Sequence, residues 1–217
     1  MKIDSKTDNC EGIDISMWQT DLLDKLKAED NITFVICRAT EGISFKDPMF
    51  IPNWDKLNSK HHIRGAYHFY IVKDDPIQQA KYFINQIGLL DQTDLPYIVK
   101  IEDSGINRDM RLNPKRMSED LKLFLDHIER STNRIALIYA SSKVVNRYLG
   151  GPNFGRYPLW LSNHNELEVI PVMTNKECLI SHASNTTARL HGIKVNKSMF
   201  KGDLFTLEDF IRNTVVS

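Results

Sequence analysis

The chain is 217 residues long, 41% hydrophobic and 26% charged, a composition that suits a globular protein with one substantial core. Its 28 Lys and Arg balance 28 Asp and Glu, so the basic excess of a nucleic-acid binder is absent. No apolar run approaches the roughly 18 residues of a membrane helix, and the opening MKIDSKTDNCEG lacks the apolar stretch of a secretory signal.

Residues 1–10 read as an N-terminal extension and 11–217 as a single domain. GIDIS (12–16) is a first strand. DLLDKLKAED follows, with Leu22, Leu23 and Leu26 on a helical face. ITFVICRAT (32–40), rich in β-branched and aromatic residues, is a second strand. DPMFIPNWDKLNSKH reads as a helix opening with Pro48. IRGAYHFYIV (63–72) is a third strand, and PIQQAKYFINQIGLL sets Ile77, Ala80, Phe83, Ile84 and Ile87 at helical spacing. Leu95 to Glu102 is a fourth strand. NPKRMSEDLKLFLDHIERS is the longest helix, with Pro114 near its start and Met117, Leu121, Phe124 and Ile128 along one face. RIALIYAS (134–141) is a fifth strand. Beyond it, YPLWLS (157–162), ECLISHAS (177–184) and a short segment near Asp203 read as strands without long helices between them. Alternating β and α units argue for a parallel sheet. The expected fold is α/β, an irregular TIM-like barrel of about eight strands with fewer helices and a helix-poor last third. A doubly wound open sheet shares this periodicity.

In a parallel barrel, chemistry gathers at the C-terminal strand ends. Those ends supply Asp14, Ser16, Trp18 and Gln19, then Arg38, Thr40 and Glu41, then Tyr67, His68 and Tyr70. They continue with Lys100, Glu102 and Asp103, then Tyr139, then Trp160 and Ser162, and His182 and Asp203 in the last third. Carboxylates flanked by aromatic rings suit a sugar site, where acids act on the glycosidic bond and rings stack on pyranose faces. Taken singly, Asp14 reads equally well as a turn cap, Trp18 and Trp160 read better as core, His68 as a hydrogen-bonded core histidine and Asp203 as a solvated residue. The ensemble carries the reading. Cys10, Cys37 and Cys178 have no metal-ligand spacing, and no glycine-rich phosphate loop is present, so neither metal nor cofactor is expected.

Several motifs, in this order, resemble glycoside hydrolase family 25, the Chalaropsis-type lysozymes, over about residues 11–210. They are GIDISMWQ (12–19), FVICRATEGISFKDPMF (34–50), RGAYHFY (64–70), LPYIVKIED (95–103), IALIYAS (135–141), YPLWLS (157–162) and GDLFTLEDF (202–210). The resemblance implies cleavage of the β-1,4 bond between N-acetylmuramic acid and N-acetylglucosamine in peptidoglycan. It makes Glu102 the general acid and puts Asp14 and Asp203 in the cleft. Tyr67, Tyr139 and Trp160 fall where such a protein lines its sugar groove, and Trp18 and His182 are further candidates for substrate contact. It further implies retention of configuration through the substrate's own N-acetyl group, no cofactor, glycan strands as partner, a monomer, and action outside the cytoplasm, extracellular or periplasmic.

Three positions depart from the pattern. Arg38 replaces a usual Lys, LISHAS (179–184) stands where Trp-Gln-Tyr is common, and Lys100 replaces the first Asp of Asp-x-Glu. Strand parity puts Lys100 on the face of Glu102. An ammonium there opposes the positive charge of an attacking N-acetyl group. Within about 4–6 Å it also favours the ionised form of a carboxylic acid that must donate a proton. Two readings follow: a hydrolase that uses Asp14 or Asp203 in place of the missing carboxylate, or a weakened relative that binds peptidoglycan or another glycan without cutting it.

Overall fold

The computed structural model describes residues 9–60, 62–102, 113–149, 152–162, 180–181 and 187–216. The β-branched runs form the strands β1 (Cys10–Ile15), β2 (Ile32–Glu41), β3 (Phe45–Lys46), β4 (Ile63–Phe69) and β5 (Ile98–Ile101). Beyond these lie β6 (Leu137–Ser141), β7 (Leu159–Ser162), β8 (Ile180–Ser181), β9 (Thr187–Leu190) and β10 (Ile193–Phe200). The helices among the described residues are α1 (Leu22–Lys25), α2 (Phe50–Asn58), α3 (Pro76–Ile87), α4 (Pro114–Thr132), α5 (Ser142–Tyr148) and α6 (Leu204–Asn213). α3 and α4 each begin with proline at the first helical position, preceded by Asp75 and Asn113, whose side chains accept from the backbone N–H of Gln78 and Lys115.

β1, β2, β4, β5, β6, β7 and β8 pair in parallel in that order. β10 then pairs antiparallel with both β8 and β1, which closes an eight-strand ring and excludes an open sheet. The reversal has a local cause. A two-residue turn at His191 and Gly192, both with positive φ, folds β10 back on β9, so no helix returns the chain to the parallel direction. β3 is a short antiparallel addition to β2.

Both faces of the strands are buried, as alternation along β2 shows. Phe34 and Ile36 join Tyr67, Ile98, Leu137, Tyr139, Trp160 and Phe200 in the barrel lumen, while Val35, Cys37 and Ala39 pack outward with the helices. Leu207, Phe210 and Ile211 of α6 close the lumen at its floor. Cys10 and Cys37 are buried free thiols; Cys178 lies outside the described residues. No helix among the described residues is long and apolar enough to cross a membrane.

Some expected boundaries shift. β1 already includes Cys10, paired with Phe200, so the first strand starts two residues before the expected Gly12. The run after β1 makes only one α-turn and a 3-10 turn at Ala28–Asp30. Pro48 precedes α2 instead of opening it; there Asp47 accepts the backbone N–H of Met17 at 3.0 Å and Met49 at 2.9 Å, tying two loops together. The segment after Asp203 is a helix, because Leu207, Phe210 and Ile211 recur at helical spacing and bury together. The closing strand lies just before it.

His68 faces outward from the barrel. Thr40 Oγ1 lies 2.8 Å from its Nδ1, and its Nε2 lies 3.1 Å from Gln79 Oε1. Gln79 Oε1 also accepts from Ile71 N, so Nε2 carries the proton and Nδ1 accepts from the threonine hydroxyl. It is a core histidine, and burial pushes its pKa down to about 4. Between that value and about 6.5 the unfolded chain takes up a proton that the native one refuses. Stability should therefore fall by about 3 kcal/mol as pH drops through this window. Urea midpoints at pH 7 and 4.5 check this, and His68→Gln should flatten the slope.

Gly12 has no side chain for a steric reason. A Cβ there would lie 2.1 Å from the Phe34 ring, which fills the lumen beside it. Gly12→Ala should cost about 1–3 kcal/mol by overpacking, read as a lower urea midpoint with unchanged slope.

Candidate functional site

The parallel strands aim their C-terminal ends at one rim, where the lumen opens. On β5, Ile98 and Lys100 face inward while Val99 and Ile101 pack outward, and the chain reaches Glu102 one residue past the strand. Lys100 sits level with Phe69 on one side and Tyr139 on the other, and Tyr139 is level with Trp160. Asp14 on β1 lies opposite Asn196 on β10. The ring thus gathers side chains from β1, β4, β5, β6, β7 and β10.

At its centre is the Lys100 ammonium. Nζ is 3.1 Å from Glu102 Oε1 and 3.6 Å from Asp14 Oδ2. It lies 4.5 Å from the Tyr139 ring centroid and 5.1 Å from that of Tyr67. Burial opposes the charge, but Asp14, the two tyrosines and Glu102 outweigh it and hold the ammonium well above the usual lysine range. Burial likewise raises the phenol of Tyr67, and pushes that of Tyr139 up to about 12 against the pull of Lys100. Both tyrosines therefore keep their protons at neutral pH.

Asp14 is buried and gripped from two sides. Asn196 Nδ2 donates to its Oδ2 at 3.0 Å, the oxygen that Lys100 approaches. Its Oδ1 is buried and makes no hydrogen bond among the described residues, as is true of Trp160 Nε1 and Ser198 Oγ. Glu102 reaches outward, with 40% of its side chain exposed. Beside this group, Arg38 pairs with Glu41, its guanidinium 4.9 Å from the Phe45 ring and 5.7 Å from that of Phe69.

Tyr67, Tyr139 and Trp160 are buried walls, with the Tyr139 and Trp160 rings edge to face at 4.7 Å. Trp18 differs. It sits in the 3-10 turn Met17–Gln19 just after β1 and is 73% exposed, so it is a rim residue and not core. His182 and Asp103 lie outside the described residues.

Asp203 does not join the cluster. It follows β10 at the floor end, where Cys10 N donates to Gly202 O. Its carboxylate caps α6, accepting from Thr206 Oγ1 at 2.6 Å and Thr206 N at 2.9 Å, and these bonds hold it below the usual carboxylate range. Cys10 and Asp14 mark opposite ends of β1, ~13 Å apart along the strand. The C-terminal residue at the mouth is Asn196, which sequence reasoning missed. Its signal was strand parity in KVNKSMF, once that run is read as the closing strand.

Lys100 forms its contacts from a buried position, so Lys100→Met should destabilise the fold by about 3 kcal/mol, toward the low end for breaking a buried pair because Glu102 is partly solvated. The exposed Lys115, paired with Glu119 at 3.9 Å, is the comparison: Lys115→Met should cost under about 0.5 kcal/mol in the same denaturation experiment.

Residues 13–178 match the sequence profile of the glycosyl hydrolases family 25. The protein YegX of Escherichia coli K12 is 30% identical over 158 residues, which cover 70% of this chain and 56% of YegX; the chain thus spans little more than half of that relative. Lysozyme M1 of Streptomyces globisporus is 26% identical over 216 residues, covering 96% of this chain and 73% of that protein. The bacterial lysozyme from Streptomyces coelicolor superposes with a TM-score of 0.81 at 24% identity, covering 96% of this chain and 99% of that one, a likeness of fold.

Proposed function

Because this chain belongs to glycosyl hydrolase family 25, we propose that its barrel mouth takes the glycan strands of peptidoglycan and cleaves the β-1,4 bond between N-acetylmuramic acid and N-acetylglucosamine. The observation that carries this reading is Glu102, a carboxylate at a strand's C-terminal end that reaches solvent from a mouth walled by Tyr67, Tyr139 and Trp160. Glu102 gives its proton to the glycosidic oxygen. The substrate's N-acetyl oxygen attacks the anomeric carbon, and configuration is retained after water enters. Asp14 supplies the fixed negative charge beneath the sugar, and Trp18 at the rim offers a face on which a pyranose stacks. The chain works as a monomer, without cofactor. The substrate places its action outside the cytoplasm, extracellular or periplasmic.

A second reading rests on Lys100. Its ammonium, 3.1 Å from Glu102 and 3.6 Å from Asp14, opposes the positive charge of the attacking group. That favours a chain that holds glycan strands and cuts them slowly or not at all.

Digestion of purified peptidoglycan, followed by release of reducing ends, separates the two. A working hydrolase loses on the order of 10²–10⁴ in rate with Glu102→Gln. A binder co-sediments with insoluble peptidoglycan, releases nothing, and gains turnover with Lys100→Asp, by about 10²–10³ if one misplaced charge is the obstacle. Neither co-sedimentation nor release from any peptidoglycan would overturn both.

A further inference from the structure

Two carboxylates and two aromatic faces converge at the barrel mouth on a point already filled by an ammonium. We propose that Asp14, Glu102, Tyr67 and Tyr139 form a cation-binding cage, and that Lys100 is its built-in ligand, leaving the cage itself no free subsite for a positive charge carried by a sugar. The clause about sugars rests on the glycan reading above; the cage does not.

The geometry is that of a ligand site. The two carboxylate oxygens facing Nζ, at 3.1 and 3.6 Å, are at ion-pair distance, and both ring centroids lie within the ~6 Å over which a tyrosine face attracts a cation. Asp14 is 6% and Lys100 7% exposed, so water screens their attraction poorly. Asp14 Oδ1 remains buried without a hydrogen bond among the described residues, and Asn196 aims the other oxygen at the ammonium. Such a cage holds whatever primary ammonium reaches it, and the length of the lysine stem decides which one does. A glycosidase mouth uses carboxylates and flanking polar groups to favour the positive charge that develops at the anomeric carbon. Here Lys100 already offsets part of that field. Removing Lys100 takes the formal charge of the three groups from −1 to −2 and leaves the volume of its side chain open.

The test uses Lys100→Ala, which deletes Cγ to Nζ, the atoms of n-propylammonium. At 100 times its dissociation constant, n-propylammonium should raise the melting temperature of the variant by at least about 4 °C. Methylammonium should do less, the neutral n-propanol nothing, and wild type should not respond. An equal rise with n-propanol, an equal rise in wild type, or no rise in a folded variant overturns the cage. Should Lys100→Ala not fold, acylation of the native wild type by an amine-reactive ester decides. Lys100 should stay unmodified while Lys115, 84% exposed, reacts; labelling of both at similar rates overturns the cage. For the sugar clause, the affinity ratio of a cationic iminosugar to a neutral N-acetylglucosamine oligosaccharide should rise at least tenfold from wild type to Lys100→Ala, and an unchanged ratio overturns it. Ammonium binding by the variant without binding of either sugar would uphold the cage and overturn the glycan reading.

Discussion

A buried ammonium at the barrel mouth constrains everything around it. Isolated, the Lys100 charge would be too costly to bury. It is tolerated because Asp14 and Glu102 approach it from β1 and from the end of β5, and because Tyr67 and Tyr139 turn their faces to it. Each of these partners comes from a different strand except Glu102, so the pairing exists only when the ring is closed and in register. A slip of one residue in β5 would send Lys100 into the outward layer and turn Val99 and Ile101 into the lumen.

Closure depends in turn on β10. Because it arrives through a hairpin, it runs against both neighbours and brings Asn196 level with Asp14. The amide then fixes one carboxylate oxygen while the ammonium approaches the same atom. Below this level, Gly12 leaves room for Phe34 and α6 seals the floor, so the mouth stands on a packed base. Among the described residues, the buried walls stand beside two groups that reach solvent, Glu102 and Trp18. The walls set charge and shape, and the exposed groups meet whatever enters.

Under the proposed hydrolysis, the family and the charge of the site pull against each other at one position. The chain belongs to glycosyl hydrolase family 25, and its ring closes under a mouth walled by Tyr67, Tyr139 and Trp160. The charge beside Glu102 is an ammonium, and it is built in with four partners rather than left at the surface. Under the proposed hydrolysis, a lysine there that merely pointed to solvent would leave turnover untouched, whereas a caged one alters the field in which the reaction would run.

How much of this was legible in the chain follows from what each signal depends on. Strand and helix order came from local periodicity and capping, which neighbouring residues dictate, and the parity of Lys100 with Glu102 followed from the two-residue period of a strand. Exposure of Trp18 against burial of Trp160, and the outward, core role of His68, depended on which layer each face meets, which no local pattern encodes. Asp203 and Asn196 mark the boundary most plainly. The sequence alone determined the elements, the carboxylates and the lysine. Only the tertiary structure decided that the chain reverses at His191 and Gly192, which sends Asp203 to the floor as a helix cap and raises Asn196 to the mouth beside Asp14, because strand direction around a closed ring is set by long-range pairing and not by the residues of the strand itself.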